Sequence, residues 1–210
     1  MKRIFVALIM MLTLLGVNGC GGGDDRVSTS VTIDSSTANG DIVFNSDTGV
    51  FTITENDISL FAGEDPTALR EFRAFLDFAL DAVPLGASIQ SATLDIVIRS
   101  ITVVPPGTSI PILVELLPYT PGALVTGDFN RSSFFPVAVR TTILSSDINP
   151  PGTPTGAIHS VPINVTPLMA EAQRLGLDFQ VRIRQDGGPA PGLIEIDNDL
   201  EIPLLFVTFF

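Results

Sequence analysis

Apolar side chains recur at every second position in short runs, and Gly, Pro, Asn and Asp break those runs apart. Such a pattern sends alternate residues to opposite faces of an extended segment, so it reads as half-buried strands joined by turns. Phe72, Ala74, Leu76, Phe78 and Leu80 fall on one side of one segment, with Arg73 and Asp77 on the other. Leu94, Ile96 and Ile98 oppose Thr93, Asp95 and Arg99 in a second, and Phe179, Val181 and Ile183 oppose Gln180, Arg182 and Arg184 in a third. Further strands are expected near 30–34, 40–45, 50–54, 57–61, 110–117, 135–143, 158–165, 192–197 and 203–209, about twelve in all. Asn39-Gly40 and Asp47-Thr48-Gly49 predict tight hairpins. Longer surface loops are expected at Val104–Gly107, Pro118–Phe134, Ser145–Gly156 and Asp186–Gly192.

One segment departs from this period. Leu168, Ala172 and Leu175 recur at helical spacing, Thr166 is suited to cap, Pro167 to the first helical position, and Gly176 to termination. A single short helix near 167–175 among many strands predicts an all-β fold, an antiparallel jelly-roll-like sandwich of two packed sheets. Residues 30–210 show no internal repeat and no compositional break, so they form one domain. At 45% hydrophobic residues the chain is too apolar to stay disordered. Its net charge of −12 at pH 7 opposes any surface that tracks phosphates, which excludes nucleic acid as a partner class.

The N-terminus carries an address. Lys2 and Arg3 precede an uncharged apolar run from Ile4 to Val17, which has the length of a secretory signal core and falls short of the ~20 residues that span a bilayer. Val17, Asn18, Gly19 and Cys20 then resemble the lipobox of bacterial lipoproteins. That resemblance implies a signal peptide over 1–19, a diacylglyceryl thioether on Cys20, cleavage before it and acylation of the new amino terminus. Gly21 resembles the sorting context that sends such proteins to the outer membrane. The expected partner is therefore a membrane reached through lipid, and the expected location is the cell envelope. Cys20 is also the sole cysteine, so no disulfide within the chain competes for it. Loss of Lys2 and Arg3, with no acidic residue removed, takes the charge from −12 to −14 and leaves Arg as the only basic side chain. Residues 20–29, lipidated cysteine followed by a Gly-led polar stretch, are expected to act as a tether.

The body carries a second resemblance. Phe72 to Leu80, followed by Pro84, Gly86-Ala87, Ile89, Ala92 and Leu94, is similar to the strand and turn of DNRLRE-type β-sandwich modules of secreted microbial proteins. Val161–Thr166 with the helix behind it, and Pro203–Phe209, resemble later elements of the same family. Ala79 stands where that family usually has Asp, and no Trp is present. The resemblance implies a jelly-roll-like module of the kind associated with polysaccharide-binding or polysaccharide-degrading proteins. No binding residue carries over position by position.

The chemistry-bearing residues are few. His159 is the only histidine, lies in a strand-like run and has no G-x-S-x-G nucleophile elbow to serve. With Cys20 committed to lipid, a soft-metal site lacks ligands. The absence of any Lys after position 2 removes the phosphate-loop motif. Tyr119 is the single tyrosine, so flat rings for stacking sugars are scarce. Oxygen-rich calcium sites are the ion chemistry the sequence offers, at Asp197, Asn198, Asp199 and Glu201 and at Glu64-Asp65, beside a solvated acidic turn as the plainer reading. The expectation is a non-catalytic binding or structural module, with a carbohydrate-binding module, an envelope-protein partner and a glycan-active enzyme as successive alternatives.

Overall fold

The computed structural model describes residues 28–105, 109–133, 138–144, 159–188 and 191–210. The signal peptide, lipobox and most of the tether lie outside the described residues, as does the loop Ser145–Gly156.

Twelve strands form one continuous hydrogen-bonded network, and every pairing is antiparallel. They are β1 (Thr29–Asp34), β2 (Gly40–Asn45), β3 (Val50–Glu55), β4 (Ser59–Asp65), β5 (Arg70–Phe78), β6 (Ile89–Val103), β7 (Ser109–Leu116), β8 (Ala138–Leu144), β9 (His159–Asn164), β10 (Phe179–Gln185), β11 (Gly192–Asp197) and β12 (Leu204–Phe209). The network curls into a sandwich. One layer runs β3-β2-β5-β10-β7-β8, and the other runs β1-β12-β6-β11-β4 with β9 also on β6. The two are continuous only through the turn end of the β4–β5 hairpin, where Gly63–Asp65 pair with Arg70–Phe72. The alternating residues of both layers meet in one core: Leu76, Phe78, Val114, Phe179 and Val181 from the first, Leu60, Leu94, Ile96, Ile194 and Leu205 from the second.

Close packing fixes Gly63. It has a φ of +117°, and a Cβ there would meet the Gly192 carbonyl oxygen at 2.1 Å, so β4 and β11 come together only because Gly63 carries no side chain.

The second layer of burial was not visible in the alternation. β5 and β10 are buried on both faces: Asp77, Gln180 and Arg182, expected on a polar outer face, are enclosed, and so is Phe75. They lie under the segment 117–131, which the sequence reads as a surface loop. Leu117, Tyr119, Leu124 and Phe129 from this strap pack with Ile42 and Phe75 in a separate cluster. The strap also contains a second short helix, α1 (Thr126–Asn130), beyond the one expected. Arginine fastens it. Arg182 Nη1 donates to the carbonyls of Asp128, Phe129 and Arg131 at 3.1, 2.8 and 2.9 Å, while its other nitrogens bond Glu115. Arg184 Nε shares the Glu115 Oε2 at 3.0 Å, and Arg73 lies 3.9 Å from the centre of the Phe129 ring. Burial raises the pKa of Glu115, but the bonds from Arg184 and Arg182 outweigh it and hold that carboxyl below its usual range.

Helix α2 (Thr166–Leu175) is close to the expected bounds, with its capping shifted by one residue. Val165 is the N-cap and Thr166 the first helical residue; the Thr166 hydroxyl accepts the Ala92 amide at 2.9 Å, tying the helix to β6. Gly176 ends it in the left-handed conformation, φ 66°, as its sequence position predicts. Leu168, Met169 and Ala172 reach the core, whereas Leu175 is 36% exposed.

The hairpin expected at Asp47-Thr48-Gly49 joins β2 and β3, with Asn45 Oδ1 accepting the Asp47 and Thr48 amides. The one expected at Asn39-Gly40 does not form, because β1 pairs with β12 and β2 with β3 and β5. Residues 35–39 instead cross from one layer to the other. Gly40 is needed for contact: a Cβ there would sit 2.5 Å from the Thr54 carbonyl oxygen.

Candidate functional site

Three connections converge partway along the long strand β6, where β11 stops beside Ile98 and β12 starts beside Asp95. Ser35, Ser36 and Thr37 follow β1; Asn56, Asp57 and Ile58 link β3 to β4; Asn198, Asp199 and Ile202 link β11 to β12. Together they line a pocket of about 430 Å³ whose walls are hydroxyls, amides and carboxylates, with two isoleucines.

Asn39 pins the walls together and is itself fully enclosed. Its Oδ1 accepts the Asp77 amide at 3.0 Å, its Nδ2 donates to Asn198 Oδ1 at 2.9 Å, and its backbone carbonyl accepts the Asn56 amide at 3.0 Å. Asn198 passes the restraint on, donating through Nδ2 to the Asp57 carbonyl at 2.8 Å. Asn56 adopts a φ of +58°, a turn conformation that Asn accepts more readily than most side chains. The Ser35 amide bonds the Pro203 carbonyl at 3.0 Å, which anchors the third wall. The Ser35 hydroxyl is buried and has no hydrogen-bond partner among the described residues. An enclosed hydroxyl of this kind costs roughly 1–3 kcal/mol until something bonds it.

Behind the pocket, Asp41 joins the layers. Its Oδ2 accepts the Phe61 amide of β4 at 3.0 Å, a strand donor that faces away from β11. Burial pushes the Asp41 carboxyl up to about 7, with the Asp57 charge adding to the rise and the bonds from Phe61 and Thr54 opposing it.

The predicted calcium ligands are only partly brought together. Asp197 is fully buried, and its oxygens are occupied: Oδ1 accepts the amides of Asp199 and Leu200 at 2.9 and 3.1 Å, and Oδ2 pairs with Arg99 Nε at 2.9 Å. Burial raises its pKa, yet those amides and Arg99 prevail and lower it overall. A guanidinium thus stands where a cation was expected. Asp199 lines the pocket, and Glu201 is exposed outside it. At the alternative position, Asp65 Oδ1 is taken by Thr67 and Oδ2 by Arg70, at the rim of a cleft of about 450 Å³ between hairpin tips. Among the described residues no group of three or more His, Cys, Asp and Glu is placed to hold a metal ion.

His159 opens β9, half-buried, with Nε2 enclosed and unbonded. Tyr119, the one ring suited to stacking a sugar through both face and hydroxyl, is 7% exposed and packs edge-on against Phe75 at 5.5 Å. Sequence reasoning passed over Ser35, Asn56 and Asp57, since only the strand order brings these connections beside Asn198.

No family model matches the chain, and no curated protein matches it. Among solved structures it is similar to a xylan-binding module CBM15, with 14% sequence identity and a TM-score of 0.39 over 85% of this chain and 97% of the other.

Proposed function

We propose that this chain is an exported, lipid-anchored, non-catalytic module that displays a β-sandwich at the bacterial cell envelope and binds a hydroxyl-rich ligand, a polysaccharide, in the polar pocket. The sequence supports the anchor through the signal-like run and Cys20. The geometry that carries the reading is the separation of the pocket from the tether along β1. Thr29, where the tether joins the sandwich, pairs with Phe209, whereas Ser35 and the pocket lie beyond the other end of β1, where Asp34 pairs with Leu204. A strand of this length spans about 20 Å, so anchoring at Thr29 holds the pocket about that far from the tether junction, clear of the lipid. Its chemistry suits sugar hydroxyls: the exposed Asp57 and Asp199 accept, the exposed Thr37 hydroxyl donates and accepts, and Ile58 and Ile202 give a ring an apolar surface.

The test is binding of the full mature chain to a glycan array, with and without calcium, alongside Asp199→Ala. Retention of a polysaccharide by the native chain, weakened about tenfold by the exposed Asp199→Ala change, supports the reading; each lost charge-assisted bond is worth roughly that factor. An array without a retained glycan, or one bound equally by both chains, refutes it.

A further inference from the structure

The end of the sandwich that carries Thr29 has a surface of its own. Phe209 pairs with Thr29 on one side and with Ile89 on the other, so β1, β12 and the start of β6 lie side by side there. Ser88 and Phe210 exchange backbone hydrogen bonds at 2.9 and 3.2 Å. Immediately before them, the turn at Leu85-Gly86 projects beside the C-terminus of α2. Gln173 Nε2 donates to the Pro84 carbonyl, and Leu85 Cδ1 sits 3.6 Å from the place a Cβ on Gly176 would take. Leu85, Ala87, Ile89, Ala170 and Leu175 line an open groove of about 850 Å³. Leu85 is 82% exposed, the most of any large apolar side chain described, and Leu175 and Phe210 are 36% and 41% exposed at the same end.

Single exposed leucines are ordinary, but here Leu85, Leu175 and Phe210 gather at one end beside an apolar groove, and a gathered patch marks a surface that something covers. Leu175 sharpens the point, because its helical spacing belongs with Leu168 and Ala172 and yet it turns outward. Two adjacent strand spacings separate Thr29 from Ile89, about 10 Å. From Cys20 to Thr29 the chain is short and reaches at most ~30 Å. A lipid on Cys20 therefore keeps Leu85 and Leu175 within reach of the membrane at all times.

We infer that this end, centred on Leu85 and Leu175, rests on the lipid surface, with the leucines seated at the boundary between headgroups and acyl chains. The inference rests on the proposed anchoring and adds an orientation to it. Two exposed leucines and a phenylalanine bind a bilayer too weakly to hold a free protein there. A tether makes the contact intramolecular, with an effective concentration near the millimolar range, and weak apolar burial then suffices. Exposed charge at this end is acidic on balance: Arg174 is paired with Glu171, and Asp81 and Asp178 add two carboxylates, so the fitting surface is zwitterionic rather than anionic.

The experiment uses the full acylated chain in phosphatidylcholine vesicles. Because the thioether occupies Cys20, a spin label attaches only to an introduced cysteine. One label is placed by Ser88→Cys, beside an intact Leu85, and another by Leu200→Cys in the β11–β12 connection beside the pocket, where the native side chain is 74% exposed. Both chains should float with vesicles. The label at position 88 should collide several-fold more with oxygen, relative to a water-soluble nickel complex, than the label at position 200. Adding Leu85→Asp should return the first label to aqueous values. Flotation with two equally aqueous labels, or a lipid-exposed label at position 200, overturns the docking while leaving the anchor standing. Failure of the chains to float overturns the anchor, and the docking with it.

Discussion

Replacing Asp41 by Asn should stabilise the sandwich at high pH and lose that advantage in acid. In the folded protein the Asp41 carboxyl titrates near 7, against 3.8 for the ordinary side chain. Below both values the group is protonated in either state and contributes nothing. As pH rises through 4 the unfolded chain gives up the proton, the folded chain keeps it, and folding becomes progressively less favourable until the folded group ionises as well. Three pH units of separation correspond to about 4 kcal/mol, of which about 3 kcal/mol accumulates between pH 4.5 and pH 8. Asn retains an oxygen for the Phe61 amide and has no charge to bury. The melting temperature of Asp41→Asn minus that of the native chain should thus grow by roughly 10 °C between those two pH values, at 2–4 °C per kcal/mol for a domain of this size. Any fixed cost of the substitution cancels in this difference. Calorimetric melts of both chains at both pH values give it directly. An equal difference at pH 4.5 and pH 8 would refute the idea that a desolvated carboxyl joins β2 to β4.

Glu115→Gln should destabilise the fold by about 3–5 kcal/mol in chemical denaturation, since it leaves the buried Arg182 without its counter-charge. Because the Glu115 pKa is lowered on folding, the native chain's share of this stability is present above pH 4–5 and should fade as pH falls below that range. Gly63→Ala should cost more than ~3 kcal/mol or prevent folding, as backbone strain adds to the collision with Gly192; circular dichroism melts decide it, and a cost under ~1 kcal/mol contradicts the close approach of β4 and β11. A calcium chelator should leave the melting temperature unchanged, because Arg99 already neutralises Asp197. A fall on chelation would show a cation held elsewhere.

The strands were legible because nearly every one buries one face in a single shared core, so each run such as Leu94-Ile96-Ile98 declares its inner side. What alternation cannot express is a face buried for a different reason. Arg182 reads as solvent-facing, and its enclosure under Asp128 and Phe129 depends on a strap distant in sequence. Asn39 before Gly40 carries the local chemistry of a turn, yet its side chain is spent bridging Asp77 and Asn198. The acidic cluster at Asp197 was found, but its partner Arg99 was invisible, since nothing local to either residue predicts that β6 and β11 are neighbours. The candidate site was the least legible part, being made of three connections that only the strand order unites.

The most direct test of ligand display is amide chemical-shift mapping of the isotope-labelled chain titrated with the glycan that the array retains. Shifts gathered at residues 35–37, 56–58 and 198–202 are the expected result. Shifts gathered instead around Glu64–Glu71, or at the Leu85 end, would contradict it.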